Sequence, residues 1–344
     1  MSHPLPRVYV ILINWKGWEL TLECLESLLR QDYPDFQVIV CDNGSPDDSV
    51  DRIRRWAAGE LPAPAGAGPL RTYVEPPVAK PVAVREMSRE EAERGGGESD
   101  RDAAVLVIRN GENLGFAGGN NVGLRYVLAR GDAEYVWVLN NDTIVAPDAL
   151  RHMVAVAEAD PELGMIGSKL VYYDDPGIIQ AVAGGGVIPW QGRTRLTGAG
   201  ERDRGQWNRA YSPEYVHGAS LLVRERLCRE VGLFDERYFI YFEEVDWAVR
   251  ARRAGWKLGY ASDSTVWHKE SRTMGLRSPF QDYHSLHSTL LFTRKFTPGL
   301  LPVVFAYTLY RHFLPKLVRR QPDRIGAVLR AYRDFLRRRG GTAG

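Results

Sequence analysis

Tyr135-Val136-Trp137-Val138-Leu139-Asn140-Asn141-Asp142 is an apolar run that stops on two amides and an acid. The run reads as a buried parallel strand. An acid just past the end of such a strand is where open α/β sheets place their ligands. Similar signals flank it. Val8 to Ile13 is a continuous apolar run, mostly β-branched, and Phe36 to Cys41 is a second that ends in Asp42-Asn43-Gly44-Ser45. Ala104 to Arg109 is a third, which makes Tyr135 to Leu139 the fourth. Helical patterns alternate with these strands. Glu19 to Arg30 carries Leu20, Cys24 and Leu28 beside Leu22, Leu25 and Leu29 at helical spacing. Asp47 to Trp56, Gly118 to Ala129 and Pro147 to Ala157 follow, the last with proline expected in its first turn. The alternation predicts an α/β fold built on a nucleotide-binding, Rossmann-like sheet.

Two regions depart from that rhythm. Residues 57–103 are rich in Pro, Ala, Gly and charge, including Glu93-Arg94-Gly95-Gly96-Gly97-Glu98, and are expected to form a long, largely disordered insertion. Beyond Gly164 the pattern is irregular until Gln281 to Phe296 and Leu300 to Arg320, which read as helices broken at Pro298-Gly299. The expected organisation is one domain over 1–296 and a C-terminal amphipathic, basic helical extension over 297–344.

The 344 residues are 44% hydrophobic with a formal net charge of +2, ordinary for a globular protein. From Leu301 onward there are ten Arg or Lys against Asp323 and Asp334 alone. Cys24, Cys41 and Cys228 are too few and too scattered for a disulfide framework or a zinc site, which suits a reducing compartment. The amino-terminal residues lack a basic head followed by an apolar core, and no stretch reaches 18 uninterrupted apolar residues. A cytoplasmic protein, at most resting on the inner face of the cell membrane, is expected.

Tyr238-Phe239-Ile240-Tyr241-Phe242-Glu243-Glu244-Val245-Asp246-Trp247 sets three carboxylates behind a run of aromatics. Carboxylates this close repel and are costly to desolvate unless cations or hydrogen bonds compensate. Asn140-Asn141-Asp142 offers hard oxygen donors suited to magnesium or manganese held partly by substrate phosphates, or else a turn cap beside Thr143. Asp42 could accept from a nucleobase or a ribose hydroxyl, or close an Asx-turn. Asn113 to Asn121 opens a helix on glycines, where backbone N–H groups can face a phosphate or sugar. It is not a dinucleotide motif, because Asn14-Trp15-Lys16-Gly17-Trp18 after the first strand lacks the glycine spacing. His268 ends a short strand signal, and His217 is a candidate for an acceptor pocket.

With these residues in hand, the chain resembles the glycosyltransferase family 2 enzymes, in particular their rhamnosyltransferase-like branch. The matching pieces are Ile13-Asn14-Trp15, Asp42-Asn43-Gly44-Ser45, Asn113 to Asn121, Asn140-Asn141-Asp142, Phe234-Asp235-Glu236 leading into Glu243 to Trp247, and Trp267-His268. They occur in the family's order over roughly residues 7 to 295. The resemblance implies a GT-A fold, whose Rossmann-like mixed sheet merges a nucleotide-binding half with a mixed acceptor-binding half, and an inverting transfer from a nucleoside-diphosphate sugar. It implies that Asn14, Asp42, Asn43, Gly115, Gly118, Asn120 and Asn141 bind the nucleotide sugar, with Asp42 on the base. It implies that Asp142 and His268 hold a divalent ion, Mn2+ or Mg2+. The family's usual Glu-Asp pair is Glu243-Glu244 here. Its second acid is the general base, so Glu244 is the candidate and Asp246 the rival. His217, Glu243 and Trp247 are placed in the acceptor pocket.

The expected donor is dTDP-rhamnose, with a UDP-sugar as the rival. The expected acceptor is a cell-surface glycan or its lipid-linked precursor. The apolar run Leu300 to Tyr310, followed by Arg311, Lys316, Arg319 and Arg320, suits a peripheral membrane contact or an amphipathic helix packed on the catalytic domain. No nucleic-acid motif accompanies the basic tail. Two other classes compete. A nucleotidyltransferase would want a glycine-rich basic loop after the first strand, and a non-catalytic binder would take the donor without turning it over.

Overall fold

The computed structural model describes residues 5–64, 66, 68–270 and 278–337. The amino-terminal half runs β1 (Val8–Asn14), α1 (Trp18–Leu28), β2 (Phe36–Asp42), α2 (Ser49–Ala58), β3 (Val84–Ser88), α3 (Arg89–Glu93), β4 (Val105–Arg109), α4 (Gly115–Arg130) and β5 (Tyr135–Asn140). A middle section follows with β6 (Thr143–Val145), α5 (Ala149–Ala159), β7 (Leu163–Tyr172), β8 (Ile179–Val182), β9 (Gly184–Ile188), β10 (Arg193–Leu196), β11 (Tyr215–Val216) and β12 (Ser220–Arg224). Last come α6 (Glu225–Val231), α7 (Glu243–Arg253), β13 (Lys257–His268), α8 (Pro279–Phe296), α9 (Leu301–Thr308), α10 (Leu314–Val318) and α11 (Pro322–Arg337).

One mixed sheet carries these strands, in the order β10-β9-β8-β7-β12-β5-β1-β2-β4-β3. Its β3-β4-β2-β1-β5 half is parallel, while β12 runs antiparallel to β5 and β7. The apolar runs form strands because both faces are covered. Along β1, Tyr9 and Ile11 enter the core on one face, and Val8, Val10 and Leu12 enter the core on the other. That period of two, apolar at every position, is the signature of a strand buried on both sides. It places the carboxyl ends of β1, β2 and β5 side by side along one rim of the sheet.

The structure corrects three expectations. Residues 57–103 are not a largely disordered insertion. They contribute β3, an edge strand in parallel register with β4, together with α3 and two short 3₁₀ turns. Only Met87 of β3 is buried, and its charged neighbours follow the habit of edge strands, so the segment gave no apolar run to read. Lys80 fastens the insertion to the core by pairing with Glu26 at 3.2 Å and stacking 3.4 Å above the Trp56 ring. Pro147 lies outside the first turn of α5, ahead of its cap Asp148. The helix expected over Leu300 to Arg320 divides into α9, a π-turn at Leu309–Phe313, and α10. Pro315 is the cause, since it has no N–H to return to the preceding turn. The extension also shares the main core: Val304, Val328 and Phe335 are buried in the same cluster as Trp247 and Leu290.

Candidate active site

Strand register builds the site. Asn14 lies opposite Asp42 and Ile13 opposite Asn140, so three strand ends and the residues after them form one shelf. Antiparallel pairing of β13 with β6 sets His268 opposite Thr143 and therefore against Asp142. Across from the shelf, α7 starts at Glu243. Between them is a cavity of about 360 Å³, lined by Trp15, Asn43, Asn113, Gly115, Asn140, Asn141, Asp142, Gln180, His217, Glu243, Glu244 and His268 among others.

The shelf side carries a buried acid–histidine pair. Asp142 Oδ1 and His268 Nε2 are 3.2 Å apart. Burial works against charge on both groups. The histidine nevertheless holds the Asp142 carboxyl below the usual aspartate value, and the aspartate lifts His268 above the usual histidine value. His268 Nδ1–H donates to Gln180 Oε1 at 2.9 Å. With Nδ1 occupied, Nε2 faces Asp142 either with a proton or with a lone pair. Outer partners of metal-binding histidines fix the ring in this way. A carboxylate oxygen and an imidazole nitrogen converging here suit a hard divalent ion that draws its other ligands from phosphates and water. Among the described residues no group of three or more His, Cys, Asp or Glu forms a self-sufficient cage.

The opposite side carries the two glutamates. Glu243 is buried, Glu244 is partly so, and one Oε2 oxygen of each has no hydrogen-bond partner. Burial pushes the Glu244 carboxyl up to about 7. Burial, and then the charge of Glu244, raise Glu243 well above the usual range. The pair therefore holds protons more tightly than free glutamates do, and Glu244 can exchange one near neutral pH. Gly218 lies beside the pair: a Cβ there would sit in ordinary contact with the Phe116 ring at 3.4 Å and the Glu244 Cβ at 3.9 Å.

The backbone leading into α7 is held in an unfavourable conformation. Tyr241 and Phe242 have φ of 70° and 71°, consecutive left-handed residues that are not glycine. Such positions cost on the order of 1–3 kcal/mol each and persist only where surroundings impose them. Here Phe116 N–H donates to Phe239 O at 2.7 Å, and Ser288 Oγ donates to Ile240 O at 2.9 Å. Behind the helix, the Asp246 carboxylate meets Arg250 Nε at 2.6 Å and Lys295 Nζ at 2.5 Å. Lys295 also reaches Asp235 at 2.8 Å, which ties the loop, α7 and α8 together.

The sequence-derived candidates thus separate. Asn43, Gly115, Asn141, Asp142, His217, Glu243, Glu244 and His268 line the cavity. His217 is neutral, pulled down to about 3 by burial, and its Nδ1 accepts from Ala219 N–H at 3.1 Å. Asp246 and Trp247 do not line it. Asp246 faces the cations behind α7, and the Trp247 indole donates to Gly232 O at 2.8 Å. Asn14 and Asp42 lie outside the lining and bond to each other and the turn: Asn14 Nδ2 donates to Asp42 Oδ1 and Ser45 N–H donates to Asp42 Oδ2. Gly118 and Asn120 are structural in their contacts. A Cβ at Gly118 would come within 2.8 Å of Leu114 Cβ, and Asn120 Nδ2 donates to Phe116 O. The start of α4 also offers fewer free N–H groups than expected, since Gly115 N–H donates to Asn113 Oδ1 and Phe116 N–H to Phe239 O. Sequence reasoning missed Gln180, Phe239 and Tyr241 in the lining. A polar Gln180 inside the apolar run Ile178 to Val182 was the one available signal.

Comparison with known proteins identifies the family and the fold. The family model described as "Glycosyltransferase like family 2" matches residues 82–279, and that described as "Glycosyl transferase family 2" matches residues 9–64. An N-acetylglucosaminyl-diphospho-decaprenol L-rhamnosyltransferase of Mycobacterium tuberculosis is 28% identical over 206 residues, covering 55% of this chain and 66% of that protein. The low-salt glycan biosynthesis hexosyltransferase Agl10 of Haloferax volcanii is 25% identical over 155 residues, covering 45% of this chain and 48% of that protein. The chain thus spans between about half and two-thirds of the length of these curated relatives. Among solved structures, the mannosyltransferase PcManGT of Pyrobaculum calidifontis, in complex with GDP-Man and Mn2+, superposes with a TM-score of 0.52 at 17% identity, covering 98% of this chain and 76% of that one. That likeness shows the fold, the mixed α/β arrangement of GT-A glycosyltransferases.

Proposed function

The chain belongs to glycosyltransferase-like family 2, and from that premise we propose that it is an inverting transferase moving a sugar from a nucleoside diphosphate to a glycan or lipid-linked glycan acceptor. One observation carries the reading. An acid–histidine pair and a pair of proton-retaining glutamates share a single cavity, on opposite elements of the fold.

In this reading Glu244 is the general base. Its ionised carboxylate takes the proton from the acceptor hydroxyl as that oxygen attacks the anomeric carbon, opposite the departing nucleoside diphosphate. The C1–O bond to phosphate breaks as the new glycosidic bond forms, so no covalent enzyme intermediate is needed. Glu243 keeps its proton and holds the pair at one negative charge. The side chains that would hold a divalent ion, Mn2+ or Mg2+, are Asp142 and His268, with Gln180 fixing the ring. Such an ion, when bound, offsets negative charge on the diphosphate. Asp246 and its cations position α7 rather than touch the reacting atoms.

The 28% identity to a protein named as an N-acetylglucosaminyl-diphospho-decaprenol L-rhamnosyltransferase supports rhamnose as the sugar and a lipid-linked glycan as acceptor, and dTDP-rhamnose is the donor we propose. A UDP-sugar is the competing donor. Glu244→Gln tests the base: turnover should fall about 10²–10⁴-fold, the usual weight of general-base catalysis, while nucleotide binding persists. Unchanged turnover in that variant refutes the assignment. A wild-type protein that binds nucleotide but transfers to no acceptor would be the non-catalytic binder.

A further inference from the structure

We propose that the outer face of residues 302–318, extended by Trp190, is a docking surface for anionic phospholipid headgroups. The proposal rests on the transferase reading only for its setting, because the contact is measured without donor or turnover. The burial pattern is the first observation. Leu301, Val304 and Thr308 face the core, while Val303, Tyr310, Leu314 and Val318 form an outward stripe at steps of four or seven residues. Tyr310 is 67% exposed and Val318 83%. Among the described residues, six of the eleven exposed large hydrophobics lie between Val303 and Val318. Side chains scattered singly need no explanation, but a contiguous apolar stripe marks an interaction site.

The charge around the stripe is the second observation. Cations on the inner side are neutralised: Lys316 pairs with Asp282 at 3.0 Å and Arg324 with the same carboxylate at 2.6 Å. Arg311, Arg319 and Arg320 on the outer side have no acidic partner among the described residues. Arg311 and Arg319 flank a shallow groove of about 400 Å³ floored by Leu314, Pro315 and Val318. Residues 301–320 contain no Asp or Glu at all. A guanidinium pair over an apolar floor fits a phosphate headgroup with the shoulder of its acyl chains.

Trp190, half exposed, is the third observation. Its ring meets Tyr307 edge-on at 5.6 Å, so it continues the stripe from the β9–β10 connection. Indole and phenol rings favour the headgroup level of a bilayer. No helix among the described residues is long and apolar enough to cross a membrane, so the contact is peripheral. A second copy of the chain suits the face less well, since a symmetric pairing would bring unpaired arginines together with no carboxylate between them.

The test is sedimentation of the full chain with vesicles of phosphatidylcholine alone and with phosphatidylglycerol added. Uptake by the anionic vesicles alone, weakening as salt rises, is expected. Arg311→Gln and Arg319→Gln should each lower partition about five-fold, and the double variant Leu314→Glu/Val318→Glu at least about ten-fold. Brominated lipid should quench tryptophan emission in the wild type and much less in Trp190→Phe. Nucleotide binding should be unaltered in all of these variants, which shows that they fold. Absence of uptake, or uptake that survives Leu314→Glu/Val318→Glu, overturns the proposal. Concentration-dependent dimerisation that those two substitutions abolish, without vesicle binding, overturns it in favour of a second copy. Vesicle binding by a chain that binds no nucleotide would leave this surface standing while the transferase reading falls.

Discussion

Glu244→Gln should do two opposite things, and the pair of effects is more diagnostic than either alone. Turnover falls about 10²–10⁴-fold through loss of the base. Stability rises, because the wild type forces a carboxylate to ionise in a buried site. The sign follows from the direction of the shift. The folded value of about 7 lies above the ordinary 4.5 of an unfolded chain. Stability is therefore complete below pH 4.5 and is progressively lost as pH rises through about 7. That separation is worth roughly 3 kcal/mol at pH 8, reduced by whatever Glu243 contributes to the coupled pair. Glutamine keeps the shape and carries no charge. The variant should melt about 2–6 °C higher than wild type at pH 8, and nearly level with it at about pH 4. Differential scanning calorimetry at the two pH values, beside initial rates, measures both effects. Equal melting temperatures at pH 8, or a loss of stability at both pH values, would refute the picture of a destabilised buried base. In the wild type, kcat/KM for transfer should climb with pH and level off above about 7.

Other outcomes follow from the same geometry. Asp246→Asn strips Arg250 and Lys295 of their shared partner, a change that typically costs about 3–5 kcal/mol when a buried pair is broken. Urea unfolding should show that loss, and the residual activity should keep the wild-type pH profile, which a catalytic base would shift. Gly115→Ala places a Cβ 2.3 Å from Phe239 O at a φ of +71°, so it should cost several kcal/mol and displace the loop ahead of Glu243. A thermal melt within 2 °C of wild type, on a scale of about 1–2 °C per kcal/mol for a chain this long, would contradict that. Gln180→Leu leaves His268 without its acceptor and should weaken manganese affinity about 10–100-fold, read by titrating the metal against bound nucleotide.

The parallel half of the fold was legible because β1, β2, β4 and β5 are apolar at successive positions, buried on both faces and closed by polar turns. β3 was not, because an edge strand with one buried residue has no such pattern, and its order comes from Lys80, Glu26 and Trp56 far away in the chain. The same distinction runs through the site. Asp142, His268, Glu243 and Glu244 could be named from their motifs, and all four line the cavity. Motif position could not say which way a side chain points. Glu244 and Asp246 are two residues apart on one helix, about 200° around its axis, so one faces the cavity and the other the cations behind it. Gln180 was hidden for a related reason, since its role depends on a pairing between β8 and β7 that no local pattern encodes.

The most direct test is calorimetric titration with dTDP, UDP and GDP, each with and without manganese, on wild type, Asp142→Ala and Glu244→Gln. The account predicts that one nucleoside diphosphate binds only with the metal, that Asp142→Ala abolishes this binding, and that Glu244→Gln retains it. Binding of none of the three by the wild type, or binding that Asp142→Ala leaves intact, would contradict it.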